Sequence, residues 1–381
     1  MPNDFKANEV NHVYILGAGF SKPLGCPLFT ELFAASYNRV VPHLDFRENP
    51  GGWILGRIVQ DLPSIYNRLN DISGSTNAEQ FLELCDSARL PQYNWFTNAF
   101  IKSLVWLESA YKDADLPWDE NDVFELGIIG TRIRLALETN HMVTSTPDAS
   151  ERWIPYMEWF RGLGKSDTII SLNYDLLVET AATKTDRAFP GRNFIAKEDV
   201  RSVDDFLAQN MEHLTLPLLC KLHGSVDWVL RNDTAFVKRY SIYDYFEGLP
   251  PLLGTPGAGK RSLSGGCLKK VWSTAVERLR EAHVISIVGC SLPETDNDFR
   301  IKLLDSIIKS TGNLKVINIV LGQPTPHSQR ARAILEQAIK LNNLVGKSIK
   351  VKLLPIYAQD YLPYYRPTND TEISDHAFPG V

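Results

Sequence analysis

The stretch at residues 12–30, HVYILGAGFSKPLGCPLFT, decides the fold. It opens with an apolar run at residues 13–16, which predicts a short buried strand. Gly17 and Gly19 follow at once, and glycine lets the backbone turn sharply and approach a bulky group closely. A helical pattern then begins at Thr30. A strand, a glycine turn and a helix N-terminus in this order can present backbone N–H groups to a phosphate.

The stretch departs from the common dinucleotide-binding fingerprint. Lys22 stands where the third glycine is expected, and no acidic residue lies about 20 positions further on to hold a ribose. An ordinary nicotinamide-dependent dehydrogenase is therefore disfavoured. From the tripeptide at residues 17–19 alone, a turn that merely joins a strand to a helix stays open as an alternative.

Composition excludes several classes of protein. The chain has 381 residues, 44% of them apolar, and a net charge of −5, which argues against a broad basic face for nucleic acid or membranes. Its five cysteines form no C-x-x-C pair, so we expect neither a disulfide scaffold nor a metal site. The polar N-terminus and the lack of apolar runs of about 18 residues lead us to expect a cytoplasmic protein with no membrane contact.

The second half of the chain predicts the fold class. Short apolar strands alternate with helices, as in a parallel sheet covered on both faces. We predict an α/β fold, a doubly wound parallel Rossmann-like sheet with an inserted helical subdomain. The strands are expected at residues 13–16, 168–172, 216–222, 284–288, 316–320 and 349–353.

The helical subdomain is expected at residues 42–164, where no strand pattern occurs. Residues 1–41 and 165–381 would then form one discontinuous Rossmann-like domain. Within the insertion, residues 42–75 contain several prolines and glycines and are expected to be broken up by loops.

Small and polar residues recur just beyond the predicted strands. In an open parallel sheet, ligands bind at the carboxyl ends of the strands. One such residue is more often structural, but their recurrence on separate strands favours a common site. The positions are Gly17, Ala18, Gly19, Phe20, Ser21, Asn173, Asp175, His223, Gly289 and Ser291, with Asn318 inside a later strand.

These residues carry a resemblance to the sirtuins. The run at residues 17–21, followed by Gly25, Pro27 and Phe29, is similar to the sirtuin loop GAGxSxxxGxPxF. The remaining motifs occur in the same order along the chain. Asn173 and Asp175 resemble the sirtuin NxD, His223 and Gly224 the catalytic HG, Gly289 and Ser291 the G-T/C-S-L motif, and Asn318 the late IN.

The segments SLNYDLLVE, KLHGS and GCSLPETD resemble in particular the sirtuin-like NADases of bacterial anti-phage defence. This resemblance implies that NAD+ is the substrate, that Asn173 and His223 are catalytic, and that no metal is used. It also implies hydrolysis to nicotinamide and ADP-ribose. The NAD-binding residues would be Gly17, Ala18, Gly19, Phe20, Ser21, Pro27, Phe29, Asp175, Gly289, Ser291 and Asn318.

The chemistry of these side chains fits that reaction. The turn at residues 17–21 would hold phosphates through its N–H groups and Ser21. Asn173 can donate and accept hydrogen bonds at once, which suits ordering a water or a ribose hydroxyl. His223 can act as a general base near neutral pH. Asp175 would orient its neighbours or cap the following helix.

Two alternatives remain open. Leu28 and Thr30 replace the aspartate and arginine of sirtuin deacylases, and the zinc module of those enzymes has no counterpart, so NAD-dependent protein deacylation is disfavoured. A module that senses NAD or ADP-ribose without turnover would not need both Asn173 and His223. A P-loop-like segment at residues 254–260 is followed by Arg261 instead of Ser or Thr, which argues against an ATPase.

The resemblance also implies partners. We expect a homo-oligomer, and a hetero-complex with a HerA-type ATPase translocase or another defence protein such as an Argonaute. The helical subdomain and the tyrosine-rich residues 357–367 are candidate interfaces. No direct nucleic-acid binding is expected.

Overall fold

The computed structural model of the chain describes residues 10–26, 28, 50–73, 78–87, 92, 94–104, 120–145, 151–189, 201–213, 215–237, 251–254, 264–310, 314–323, 326–343 and 349–363. The structural statements below concern these residues. Among the helices they form, none combines the length and the apolar character that crossing a membrane would require.

A six-stranded parallel sheet organises the molecule, in the order β10-β9-β8-β1-β2-β4. Every residue of β1, β2, β4, β8 and β9 is buried. Because successive side chains point to opposite faces of a sheet, complete burial means that both faces are covered. The strands are β1 His12–Leu16, β2 Thr168–Ser171, β4 Leu218–Lys221, β8 Val284–Val288, β9 Val316–Val320 and β10 Lys350–Leu354.

The predicted fold class is thus confirmed as a Rossmann-like α/β sheet. The six predicted strands agree with the structure to within two residues at each end. Strand β1 lies inside the sheet, paired with β8 on one side and β2 on the other. The glycine turn that follows β1 therefore lies between the segments that follow β8 and β2.

Twelve α-helices are described. Among them, α9 (Lys269–Glu281) packs on β4 and on α10 (Asn297–Ile308) through buried apolar side chains such as Val271, Trp272 and Leu279. The helices are α1 Ala18–Ser21, α2 Pro50–Ser73, α3 Ala78–Ser87, α4 Asn94–Ser103, α5 Glu120–Ser145, α6 Ile154–Gly162, α7 Leu177–Lys184, α8 Val203–Glu212, α9 Lys269–Glu281, α10 Asn297–Ile308, α11 Pro326–Asn343 and α12 Ala358–Tyr361.

The expectation that loops break up residues 42–75 was wrong for most of that segment, because α2 runs without interruption from residue 50 to residue 73. The apolar side chains on its buried face outweigh the hydrogen bond that Pro63 cannot make. The buried residues recur at helical spacing and are Ile54, Ile58, Leu62, Ile65 and Leu69.

The described residues form two hydrophobic cores. The first surrounds the sheet and includes Trp153, Tyr156 and Phe160 from the segment of α6. The second lies among α2, α3, α4 and α5, and also takes in Tyr174. Every described element between β1 and β2 is helical. The exact domain boundaries at residues 41, 42, 164 and 165 stay a prediction.

A second sheet was not predicted. It is antiparallel, with the order β3-β6-β5-β7, and its strands are β3 Arg201–Ser202, β5 Gly224–Arg231, β6 Thr234–Val237 and β7 Pro251–Leu253. Strand β5 begins at Gly224, where φ is +83° and an added Cβ would lie 2.0 Å from the carbonyl oxygen of Leu252. Glycine is therefore required in the turn that carries His223.

Candidate active site

A cavity of about 650 Å³ opens at the carboxyl ends of the central strands. Nine of the predicted site residues line it, although they come from four separate segments of the chain. These residues are Gly17, Ala18, Gly19, Ser21, Asn173, Asp175, His223, Gly289 and Ser291. The predicted residues Pro27 and Phe29 lie outside the described residues, as does the P-loop-like segment beyond Gly254.

The glycine turn after β1 lies in close backbone contact with the segment after β8. The N–H of Gly19 donates to the carbonyl oxygen of Gly289 at 2.9 Å. Gly289 has a φ of +67°, and an added Cβ there would lie 2.0 Å from the nitrogen of Phe20. Both segments need glycine because their backbones come this close.

This contact changes the expected role of the turn. The N–H of Gly17 donates to Val288 at 3.0 Å, and that of Phe20 donates to Gly17 at 2.9 Å. With the N–H of Gly19 also engaged, three of the donors predicted for phosphate already have partners within the protein. Helix α1 is only four residues long. The turn shapes the wall of the cavity more than it supplies N–H donors.

Ser21 joins the glycine turn to the loop after β2. Its Oγ donates to Oδ2 of Asp175 at 2.7 Å and accepts from Nδ2 of Asn173 at 3.1 Å. Oδ1 of Asp175 accepts from the N–H of Leu177 at 2.9 Å, so the predicted helix cap is present. Burial raises the pKa of Asp175, and the charge of Lys221 and these two hydrogen bonds partly offset that shift.

The orientation of the Asn173 amide follows from its partners. Nδ2 lies 2.9 Å from the carbonyl oxygen of Gly17, which can only accept, so the nitrogen points there. Because Nδ2 also donates to Ser21, both amide hydrogens are used. In this arrangement Oδ1 remains as the acceptor for a water or a ribose hydroxyl, and the role of Asn173 toward a ligand stays a prediction.

His223 is almost completely buried in the cavity wall. Its Nδ1 lies 3.0 Å from the carbonyl oxygen of Leu172. Since a carbonyl can only accept, the hydrogen is on Nδ1, and in the neutral ring Nε2 carries the lone pair. Nε2 faces Oδ1 of Asp296 at 3.6 Å. The indole N–H of Trp272 donates to the carbonyl of Leu222 at 3.0 Å and so holds the backbone just before His223 in place.

A buried lysine supports the same region and was missed in the sequence. Nζ of Lys221 donates to the carbonyl of Asp175 at 2.6 Å and to Oγ of Ser225 at 2.7 Å. It also pairs with Glu179 at 3.3 Å. The signal was present, since a lysine inside an apolar strand needs a partner for its charge.

Two predicted binding residues do not line the cavity. Asn318 lies inside β9, is fully buried, and donates to Oγ of Ser286 at 3.3 Å and to the hydroxyl of Tyr361 at 3.4 Å. Phe20 is buried against Tyr156 and Trp159. Both side chains stabilise the structure around the site, because each points into the protein interior and away from the cavity.

Several residues of the wall were not predicted. Thr139 comes from α5, so the helical block reaches the cavity, and Tyr357 and Gln359 come from the start of α12. Asp296 is the only carboxylate of the described wall other than Asp175. No cluster of three or more His, Cys, Asp or Glu side chains able to hold a metal ion occurs among the described residues.

Comparison with known proteins identifies a SIR2-like domain at residues 167–343, which is less than half of the chain. This region includes Asn173, His223 and Gly289, whereas the first strand and its glycine turn lie outside it. The match supports a sirtuin-like relationship and, at the level of the family, an activity that involves NAD+. None of the curated proteins matches the chain.

Proposed function

We propose that this protein is an NAD+ glycohydrolase, which hydrolyses NAD+ to nicotinamide and ADP-ribose. One observation carries the proposal: Asn173 and His223, from the ends of two different strands, line one cavity together with the glycine turn. The SIR2-like region spans both side chains. The cavity volume lies within the range of about 300–1,000 Å³ that is usual for small-molecule sites.

The reaction breaks the bond between the ribose carbon and the nicotinamide nitrogen. Nicotinamide leaves as a neutral molecule with the bonding electrons, and positive charge builds up on the ribose. A water then forms the new carbon–oxygen bond and loses one proton. The overall balance is NAD+ and water to nicotinamide, ADP-ribose and a proton.

His223 is suited to take that proton. The hydrogen on Nδ1 is held by Leu172, which leaves the Nε2 lone pair as the base. General-base catalysis of this kind contributes about 10²–10⁴-fold to a rate. Oδ1 of Asn173 can accept one hydrogen of the attacking water and so orient its oxygen, because the amide is fixed by Gly17 and Ser21.

The test is to incubate the purified chain with NAD+ at several protein concentrations and to quantify nicotinamide and ADP-ribose by chromatography. We expect turnover by the native chain that is lost in Asn173→Ala and in His223→Ala. The matched control is His213→Ala, because His213 lies at the end of α8 and does not line the cavity. Melting temperatures confirm that each variant is folded.

Release of nicotinamide that persists in both variants would remove Asn173 and His223 from the mechanism. Binding of NAD+ without release, at every protein concentration, would favour the sensing module over the enzyme. Release of nicotinamide only in the presence of an acylated peptide would favour the deacylase.

The proposal extends to a role in anti-phage defence by depletion of NAD+, based on the resemblance of the SLNYDLLVE, KLHGS and GCSLPETD segments. An enzyme that consumes NAD+ must be restrained, which fits regulation by homo-oligomerisation or by a HerA-type ATPase or other defence protein. The test is to follow cellular NAD+ after infection, with and without the His223→Ala substitution. An unchanged NAD+ level in infected cells would contradict this role.

A further inference from the structure

The last helix that the structure describes, α12, forms part of the cavity wall. The residues that line the cavity at its start are Tyr357, Ala358 and Gln359. They lie beside the end of β9, because the N–H of Gly322 donates to the carbonyl of Ile356 at 2.9 Å and an added Cβ on Gly322 would lie 2.4 Å from the ring of Tyr357. Three strands of the sheet separate β9 from β4, which precedes His223. This wall is therefore remote from His223.

Helix α12 lies on the surface and is held from one side. Tyr357 and Asp360 are exposed, whereas Ala358 and Tyr361 are buried. A helix of four residues has too few hydrogen bonds of its own to be stable alone, so its position depends on what its buried side contacts. The N–H of Tyr361 donates to the carbonyl of Tyr357 at 3.0 Å, so one helical turn connects the buried tyrosine to the cavity wall.

The side chain of Tyr361 ends at a polar site within the sheet. Ser286 of β8 and Asn318 of β9 are paired in register and are fully buried, so their side chains lie on the same face. The hydroxyl of Tyr361 lies 2.7 Å from Oγ of Ser286, where either group can donate, and accepts from Nδ2 of Asn318 at 3.4 Å. Nε2 of His12 lies 2.7 Å from the same Oγ. The polar site thus joins β1, β8 and β9 to α12.

These polar groups favour one docked position of α12. Ser286 and Asn318 interrupt strands that are otherwise apolar, VISIV and VINIV. Buried polar groups are costly without hydrogen-bond partners, so the hydroxyl of Tyr361 is favoured at this point over an apolar group of similar size. The hydroxyl therefore determines where the helix lies as well as how firmly it is held.

We propose that Tyr361 is a positioning residue that holds α12 in the cavity wall, and that docking of α12 sets the affinity of the cavity for its ligand. This inference deepens the proposed function, on which its kinetic test rests. Because the wall formed by α12 is remote from His223, its contacts with a ligand are the same before and during the reaction. Displacing α12 therefore weakens the binding of substrate and transition state alike, which raises KM and leaves kcat unchanged.

The experiment uses the full chain with two substitutions at Tyr361. Tyr361→Phe removes the hydroxyl and keeps the ring, and Tyr361→Leu also shortens the buried side chain. The matched control is Tyr66→Phe, since Tyr66 is buried in the second hydrophobic core and does not line the cavity. Amide hydrogen exchange without ligand measures the opening of α12. Steady-state release of nicotinamide gives KM and kcat.

We expect the amides of residues 360–362, which donate within α12, to exchange about tenfold faster in Tyr361→Phe, since a buried hydrogen bond is lost and its partners remain. The amides of β8 and β9 should exchange as in the native chain. Tyr361→Leu should raise KM by about fivefold or more and leave kcat within about twofold. Tyr66→Phe should match the native chain in both measurements.

Unchanged exchange in Tyr361→Phe would overturn the anchor. A lower kcat with an unchanged KM in Tyr361→Leu would overturn the role in affinity, and so would native values of both constants in a variant whose α12 exchanges faster. Melting temperatures show whether Tyr361→Leu is folded. If it is not, the KM of Tyr361→Phe decides, with a rise expected and an unchanged value contradicting the proposal.

The anchor is tested separately from the glycohydrolase, because hydrogen exchange needs no substrate. Faster exchange in Tyr361→Phe without any release of nicotinamide by the native chain would support the anchor and contradict the enzyme. Binding of ADP-ribose, measured by isothermal titration, would then replace KM, and the same weakening is expected. Absence of binding, or equal binding by the native chain and Tyr361→Leu, would overturn the role in affinity.

Discussion

Oγ of Ser21 donates a hydrogen bond to Oδ2 of Asp175 at 2.7 Å, although 154 residues separate them in the sequence. The bond ties the glycine turn after β1 to the loop after β2. Because the same Oγ accepts from Asn173, the position of the proposed catalytic amide depends on a serine that comes before the whole helical block. Ser21 is thus a positioning residue in this site.

We predict that Ser21→Ala lowers NAD+ turnover by about 10–100-fold and the free energy of unfolding by about 1–3 kcal/mol. The stability loss follows because a buried carboxylate and a buried amide each lose a hydrogen-bond partner. Steady-state nicotinamide release and urea unfolding measure the two effects. The control is Ser273→Ala on the exposed side of α9, which should change stability by no more than about 0.5 kcal/mol.

Equal turnover in the native chain and Ser21→Ala would show that Asn173 keeps its position through Gly17 alone. A loss of stability without a loss of turnover would show that Ser21 stabilises the fold but does not position the catalytic amide.

The sequence predicted the sheet well because buried parallel strands are apolar throughout and leave a pattern that local reading detects. Ligands bind at the carboxyl ends of parallel strands, and nine of the residues chosen on that basis line one cavity. The local sequence pattern does not show the direction in which a side chain points in the folded protein. Asn318 satisfies the motif but its side chain points into the sheet, toward Ser286 and Tyr361.

The contacts made across distant segments could not be read from local pattern. The pairing of His223 with Asp296 joins residues 73 positions apart, and only the packing of the helices and the turn at Leu292 brings them together. Helix α2 was not predicted because its proline and glycines locally favour loops. Burial of its apolar face in the folded protein outweighs that local preference.

The second prediction concerns the close backbone contact in the cavity wall. Gly289→Ala should lower the free energy of unfolding by about 3 kcal/mol or more, since a left-handed non-glycine residue costs about 1–2 kcal/mol and the Cβ meets the backbone of Phe20 and Gly19. The matched control is Gly162→Ala at the end of α6, where an added Cβ has no atom within 4 Å.

Gly162→Ala should change the free energy of unfolding by less than about 1 kcal/mol. The change should be stabilising if its main effect is to reduce the conformational entropy of the unfolded chain. Chemical unfolding of the two variants side by side provides the measurement. Similar destabilisation by both substitutions would contradict the specific role of Gly289.

The third prediction concerns the buried charge of Lys221. Lys221→Met should lower the free energy of unfolding by about 3–5 kcal/mol, because Glu179 is left buried without its partner. Adding Glu179→Gln should restore a large part of that loss. Guanidinium unfolding of the two single variants and the double variant gives the coupling energy. Strictly additive effects would show that the pair does not interact.

The last prediction is a pH dependence that originates at His12. Burial lowers the pKa of His12 to about 3. Nε2 of its ring lies 2.7 Å from Oγ of Ser286. In the unfolded chain, the ordinary value of 6.5 applies. Between these two values the unfolded chain binds a proton that the folded chain does not, so stability is lost as the pH falls from about 6.5 toward 3.

From pH 7 to pH 5, this single histidine should therefore remove about 2 kcal/mol of stability. Other groups titrate over the same range, so the relevant quantity is the difference between the native chain and His12→Gln, which cannot take up the proton but can still bond to Ser286. We expect urea unfolding to show a smaller loss between pH 7 and pH 5 in His12→Gln. Equal losses in both proteins would mean that His12 can be protonated in the folded state, which would require water or a carboxylate to reach the centre of the sheet.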